Sequence, residues 1–386
     1  MSTPGSTRLR HLPLLILLIL AIAIASSGEG DFEGLWDLRK DDRGLTWFNV
    51  EYELSDRHQG RHGFLLDESR TTGLDVSLFN ADGRNGKFTI ERDAGDLVCE
   101  GWFRGGRASG HFVFAPSANF ARTLASRGFD SPTREEQFQL AMSDVGIDLI
   151  DELDRQGYTK PTTSQLVRLG NHGVDLRYVR DLNAEGYRAD SIDQLIRMRD
   201  HGVTPEFIRG ILDAGYGGLT SEELVRVRDH GVTPEFVRAM AAAGHKPSSI
   251  EKLIRARDHG VTPDFLEGMT AAGYGKDLVD LVRARDHGVT PEFAIAMSDA
   301  GFTGLSLNEL VRMRDHGVTP DFVQGMQSQG FRDASATELV RAQDHGVTPD
   351  YVRQLREAGL DNLTLDKVIR MRDNGISPEF VSHLKK

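Results

Sequence analysis

The sequence predicts an α+β multidomain protein: a small antiparallel β sandwich or barrel, then an α-solenoid built from helical-hairpin repeats of about 29 residues. Three observations predict it. Apolar and polar residues alternate between Asp31 and Ser117, the apolar period becomes helical near Asn119, and a nonapeptide then recurs. It reads RDHGVTPEF from Arg199, returns as RDHGVTP from Arg228, Arg257, Arg285 and Arg314, and stands as QDHGVTP from Gln343. A fixed period of this length is the mark of a stacked array.

The chain has 386 residues, of which 39% are hydrophobic and 27% charged, as in folded protein of two or three domains. A net charge of −12 excludes a broad phosphate-binding surface, so nucleic acid is not an expected partner. The sole cysteine, Cys99, leaves no internal disulfide and no cysteine metal cluster.

The first element is a leader. Arg8 and Arg10 precede an apolar run from Leu12 to Ala25, which closes on Ala23-Ile24-Ala25, a small-x-small cleavage site. Residues 1–25 therefore read as a signal peptide, and the protein as exported, periplasmic or extracellular. The alternative is an N-terminal membrane anchor through an uncleaved segment, for which the run is short of the ~20 residues a spanning helix needs.

The β segment, 31–117, follows. In TWFNVEYEL, Phe48, Val50, Tyr52 and Leu54 alternate with Asn49, Glu51 and Glu53, as a strand with one buried face requires. Further expected strands are Gly34–Leu38, Gly63–Leu66, Asp75–Phe79, Lys87–Arg92, Asp96–Arg104 and Ser109–Ala115, separated by NADGRNG, DAG and GGRASG. Trp36, Trp47 and Trp102 are core candidates. His58 and His62 in HQGRH stand four apart, but Gly60 and the β context argue against a helical metal motif.

A helical linker or cap occupies 118–142, and the repeat array 143–386 comprises about eight units. The turn glycine stands at 173, 202, 231, 260, 288, 317, 346 and 375, at steps of 29 with one of 28. Each unit predicts two short helices. Ser191/Gln194, Thr220/Glu223, Ser248/Glu251, Ser306/Glu309 and Ser335/Glu338 have capping-box spacing for the first helix. Gly202, Gly231 and Gly260 suit the left-handed residue that ends it. Thr204 and Pro205 then cap and open the second helix, whose Phe207 and Ile211 face the core; Phe236/Met240 and Phe265/Met269 repeat that pair. The unit containing Gly275 is one residue short and lacks the Ser/Thr cap, so a local bend is expected at Gly273–Lys276.

The Asp and His of the repeat raise the question of chemistry. His201, His230 and His259 suit a helix's last turn, where imidazolium is favoured by the dipole; Asp200, Asp229 and Asp258 do not, and need a compensating partner. Arg197, Arg226 and Arg255 stand three residues before them, which predicts an Arg–Asp ladder, closed within a unit or across to the next. An anion-binding track of arginines would be neutralised by the same aspartates. Histidines on helices ~8–10 Å apart cannot readily share one zinc. Six copies of a dyad along a rod share no pocket, and HExxH, G-x-S-x-G, P-loop and G-x-G-x-x-G motifs are absent from the sequence. No catalytic, cofactor-binding or metal-ligating residue is expected, and no cofactor; the column reads as architecture.

The segment FTIERDAGDLVCEGWFRGGRASGHFVFAPSANFARTLASRGF, followed by DHGVTPEF units, resembles the extracytoplasmic C-terminal region of bacterial BlaR1-like (M56-type) membrane peptidase homologues and related free-standing secreted repeat proteins. The resemblance spans nearly everything after the leader. It implies a sensory or interaction module at the bacterial cell envelope. The peptidase domain of the longer homologues, with its HExxH, has no counterpart here, so peptidase activity is not implied. Gly34-Leu35-Trp36 is also similar to the G-x-W of lipocalin-like barrels, though the segment is short for eight strands and Trp36 reads as core filling.

The functional expectation is a non-enzymatic exported protein whose repeats bind a protein or peptide. The alternative gives the β domain a small ligand, such as a glycan, lipid or antibiotic-like molecule, with the repeats as spacer. The sequence shows no converging polar cluster for it.

Overall fold

The structure, a computed structural model, describes residues 32–55, 58–80, 82–275 and 277–384. The signal-peptide expectation, Lys276 and the side chains of Leu54 and His58 lie outside the described residues. Among the described residues no helix is long and apolar enough to cross a membrane. The chain divides into two compact units, Met1–Asp200 and His201–Lys386.

In the first unit, strands β1 (Glu33–Lys40), β2 (Thr46–Ser55), β3 (His58–Leu65), β4 (Thr71–Thr72), β5 (Asp82–Ile90), β6 (Gly95–Arg104) and β7 (Arg107–Pro116) form one antiparallel sheet, ordered β3-β2-β1-β7-β6-β5-β4. It is a single curled sheet, a half-barrel, rather than two packed sheets or a closed barrel.

A row of missing side chains accounts for the curl. Gly86, Gly101 and Gly110 are register partners across β5, β6 and β7, and Trp36 of β1 stands opposite Gly110. A Cβ on Gly101 would come within 2.6 Å of the Trp36 ring, and one on Gly86 within 2.8 Å of Phe103. With nothing projecting inward along that row, the strands bend round the indole. Phe88 of β5 consequently meets Trp36 at 5.0 Å between ring centroids and Phe48 of β2 at 6.2 Å. On a flat sheet with ~4.8 Å strand spacing, rings three or four strands apart would be well out of contact.

The apolar interior is finished by a helix. Helices α1 (Ala118–Ser126) and α2 (Arg134–Met142) follow the sheet, and Phe138 of α2 is fully buried. Its ring stacks on Phe32 (5.1 Å) and Phe112 (6.2 Å) and meets Phe114 and Tyr52 edge-on at 5.3 and 4.8 Å. The same α2 also packs on the helix at Thr163–Asn171, so it joins the sheet interior to the row of helices that follows. Helices α3 (Ile147–Arg155), α4 (Thr163–Asn171), α5 (Leu176–Ala184) and α6 (Ile192–Asp200) complete this unit.

Three local expectations fail for identifiable reasons. Residues 75–79 form no strand but a 3-10 turn, Val76–Asn80, because Asp75 accepts a bond from the Ser77 N–H and starts a turn. Of NADGRNG, Asp82–Gly86 form no loop but the start of β5, which absorbs Gly83 (φ +80°) at a register shift between Asp82 and Arg84. Trp102 is not in the core, being 61% exposed, and Trp47, which alternates with the inward Phe48 on β2, is only half-buried; of the three tryptophans Trp36 alone, 2% exposed, is a core residue.

The second unit runs from α7 (Pro205–Asp213) through α8 (Ser221–Asp229), α9 (Pro234–Ala242), α10 (Ile250–Asp258), α11 (Pro263–Ala271), α12 (Leu278–Asp286), α13 (Pro291–Asp299), α14 (Leu307–Asp315), α15 (Pro320–Ser328), α16 (Ala336–Asp344), α17 (Pro349–Glu357) and α18 (Leu365–Asp373) to α19 (Pro378–Leu384). First helices pack on first helices and second on second, as α10 on α12 and α9 on α11, giving two rows of a solenoid.

Local chemistry sets each hairpin. Thr220 and Glu223 form a reciprocal capping box on α8. Gly231 (φ +66°) ends that helix in the left-handed conformation, and Thr233 caps α9 by accepting from the Phe236 N–H at 3.2 Å. Leu224, Val225 and Val227 of α8 and Phe236, Val237 and Met240 of α9 are buried. Val232 and Val237, at N′ and N4, are 0% and 3% exposed, as a hydrophobic staple requires. The Ser248/Glu251 box does not form. Ser249 takes the N-cap position of α10 and makes no side-chain cap bond. In the short unit, Asp277 replaces the missing Ser/Thr by accepting from the N–H groups of Val279 and Asp280.

Candidate functional site: a histidine–aspartate column and an open sheet face

The partner that compensates each repeat aspartate is the histidine of the preceding repeat. In the first unit, His172 Nδ1 lies 2.7 Å from Asp200 Oδ1. In the second, His201–Asp229 and His230–Asp258 are at 2.7 Å, His259–Asp286 at 2.6, His287–Asp315 at 2.8, His316–Asp344 at 2.6 and His345–Asp373 at 2.7 Å. An ionised carboxylate only accepts, so Nδ1–H donates and Nε2 is left toward solvent. Both side chains of a rung are about two-fifths exposed.

The expected Arg–Asp ladder is therefore a His–Asp ladder, and the arginines do two other things. Those in the Arg197, Arg226 and Arg255 column reach forward where a partner stands on the next first helix: Arg168 Nη1 to Asp193 Oδ1 (2.9 Å), Arg283 to Asn308 Oδ1 (2.8 Å), and Arg341 to Asp366. A second arginine, immediately before six of the seven Asp residues (Gln343 precedes Asp344), holds the unit behind. Arg199 Nε donates to the Gly173 carbonyl at 2.9 Å while its guanidinium lies 5.0 Å over the Tyr178 ring. Arg228, Arg257, Arg285, Arg314 and Arg372 likewise cover Phe207, Phe236, Phe265, Phe293 and Tyr351 at 5.0–5.4 Å. The short unit keeps its His259–Asp286 bond and sets Arg285 over Phe265, so its missing residue leaves the ladder in register.

The column stops where its partners stop. The first unit has Asn171 where later units have Asp, and the last has Asn374 where earlier ones have His. Each end residue that would find no rung is a neutral amide.

An imidazole oriented by a carboxylate is also half of a hydrolytic triad. The hydroxyl three residues on from the imidazole in sequence, that of Thr233 or its equivalents, is placed as a helix N-cap. Among the described residues, no group of three or more His, Cys, Asp or Glu is arranged to hold a metal ion.

A second candidate lies on the outer face of the sheet. In β6, Leu97, Cys99, Gly101 and Phe103 face inward, which turns Val98, Glu100, Trp102 and Arg104 outward. Trp102 stands over an open groove of about 980 Å³ whose walls include Asp37, Asn49, Glu51, Arg61 and Glu100. These are already joined: Asn49 donates to Asp37 at 2.9 Å, Arg61 to Glu51 at 2.9 Å, and Asn85 to Glu100 at 3.3 Å. Lys87, 2.8 Å from Glu100, is the main cause that holds the Glu100 carboxyl below its ordinary range. His62, the described half of HQGRH, faces the other way and is lowered by burial and by nearby Arg92.

A third cluster is structural glue. Arg70 bridges Asp144 (2.9 Å) and Asp93 (3.4 Å), and Asp93 Oδ2 accepts from the Ile147 N–H at the start of α3, where Gly146 offers no cap. Arg92, buried against the Phe64 ring at 4.9 Å, adds its charge toward Asp144 at 3.5 Å.

Comparison with protein-family models and with curated proteins gave no match.

Proposed function

We propose that the chain is a non-enzymatic, exported scaffold or sensor module of the cell envelope, which holds a protein or peptide on the outward side of its second helices. One observation carries the reading: many of the letters that recur are used in bonds between neighbouring repeats, and one column of exposed letters on the second helices changes its chemistry from repeat to repeat. At one place in successive second helices stand Arg209, Arg238, Glu267, Ile295, Gln324 and Arg353, all exposed, with Ile295 at 44%. A rigid frame carrying basic, acidic, amide and apolar groups in a set order suits recognition of one extended partner. The one-per-repeat dyads, distributed rather than convergent, support a non-catalytic role. Export rests on the leader, and the envelope setting on the resemblance of the β segment and repeats to BlaR1-like regions.

Photo-crosslinking residues placed at 295 and 324, and at 287 as a control, test this in native envelopes. The expected result is a discrete adduct from 295 and 324 that Arg238→Glu diminishes and that 287 does not give. Adducts independent of position, or a turnover reaction abolished by one His→Asn change, would count against it.

A further inference from the structure

We propose that the outer face of the curled sheet binds a neutral oligosaccharide, with one pyranose ring stacked on Trp102. This is independent of the scaffold reading, since it concerns another surface and other residues.

The argument begins with the cost of the residue. Trp102 is 61% exposed, more than any other large apolar side chain described. Nothing in packing calls for it, because Phe103 on the same strand already fills the interior at 0% exposure. Its cross-strand partners are Asn85 on β5 and Ser109 on β7, both too short to cover an indole. The ring is thus held by a sheet, a rigid element, and left bare.

Charge then selects the ligand. The groove wall carries Asp37, Glu51 and Glu100 against Arg39 and Arg61, and Lys87 beside it closes on Glu100 at 2.8 Å as Arg61 closes on Glu51 at 2.9 Å. An ionic ligand would have to part those pairs to gain its own. A lipid chain would need a continuous apolar strip, and Glu100, Asn85 and Ser109 interrupt it on every side of the ring. A neutral polyol can replace water at the carboxylate and amide groups without separating charge, while the C–H face of a pyranose, polarised by its ring oxygens, lies against the electron-rich face of the indole. The groove, about 980 Å³, is of the size that ligand sites occupy, ~300–1,000 Å³.

The test titrates the full chain calorimetrically with cello-, chito-, laminari- and maltotetraose. At least one is expected to bind, at least tenfold more weakly to Trp102→Ala, with most affinity kept by Trp102→Phe and all of it by Arg238→Ala on the helical array. An unchanged urea midpoint for the Trp102 variants shows that folding is intact. The proposal is overturned if none of the four sugars binds, if Trp102→Ala binds as wild type, or if only heparin, polygalacturonate or phosphatidylglycerol vesicles bind.

Discussion

Replacing one rung of the His–Asp column should cost a small, measurable and coupled amount. The perturbation is His230→Asn, Asp258→Asn and the double variant; asparagine is the residue that the chain itself places at both ends of the column, as Asn171 and Asn374. The two atoms lie 2.7 Å apart, and each side chain is 41% exposed. A hydrogen bond to a charged group is worth about 1.5–3 kcal/mol when well shielded, and an exposed ion pair about 0–1 kcal/mol. At two-fifths exposure the rung falls between them, near 1 kcal/mol. With a urea slope of about 2 kcal/mol/M, each single variant should lower the midpoint by about 0.5 M. The double variant should lose little more than either single one, which leaves a coupling energy of about 0.5–1 kcal/mol. Strictly additive losses, with coupling below about 0.2 kcal/mol, would show that the two groups stand side by side without bonding and would refute the ladder as a source of register.

Other consequences follow from the same geometry. Deleting residues 230–258 joins Asp229 to His259 and removes a single rung, so the array should keep its helicity per residue and unfold at a lower urea midpoint by circular dichroism. Glu152, 4% exposed, accepts from Gln156 at 2.8 Å and Arg180 at 2.9 Å; the Gln156 bond first, then the arginines, hold its carboxyl below the ordinary range. Its stabilisation is therefore complete above the unfolded value, about 4.3, and is lost as pH falls through the lower folded value. Glu152→Gln should cost about 1–2 kcal/mol at pH 7 and flatten the acid limb of the stability profile; an unchanged limb would reject that role. Gly101→Ala sets a methyl group 2.3 Å from the Ser109 carbonyl and 2.6 Å from Trp36, so a loss of about 1–3 kcal/mol and an altered near-ultraviolet signal from Trp36 are expected.

The repeats were legible because their signals are local. A cap, a left-handed glycine, Pro at N1 and an apolar pair four apart each act within one turn of helix, and the hairpins form where those letters stand. What joins the hairpins was less legible. The need of Asp258 for a partner could be read from its place at a helix end, but Arg255 is three residues away on the same helix and His230 is 28 residues away, so spacing favoured the wrong one. A signal existed: the arginine before six of the seven Asp residues and the aromatic of the preceding second helix recur in step, as Arg257 with Phe236. In the sheet, alternation found most strands. Its own logic also placed Trp102 outward, since Leu97, Cys99 and Phe103 are inward; treating all three tryptophans as core overrode that parity. The half-barrel curl depends on glycines from three strands falling in one row, and register between strands is not written in any one of them.

The column also gives the array a direction. Every unit offers imidazole to the one ahead and carboxylate to the one behind, a head-to-tail bond of the kind that propagates into open filaments when nothing halts it. Asn171 and Asn374 withhold the acid and the base from the two ends. The helix that carries Asn171 packs on α2, which has no imidazole to offer, so a neutral amide there leaves no carboxylate without its partner.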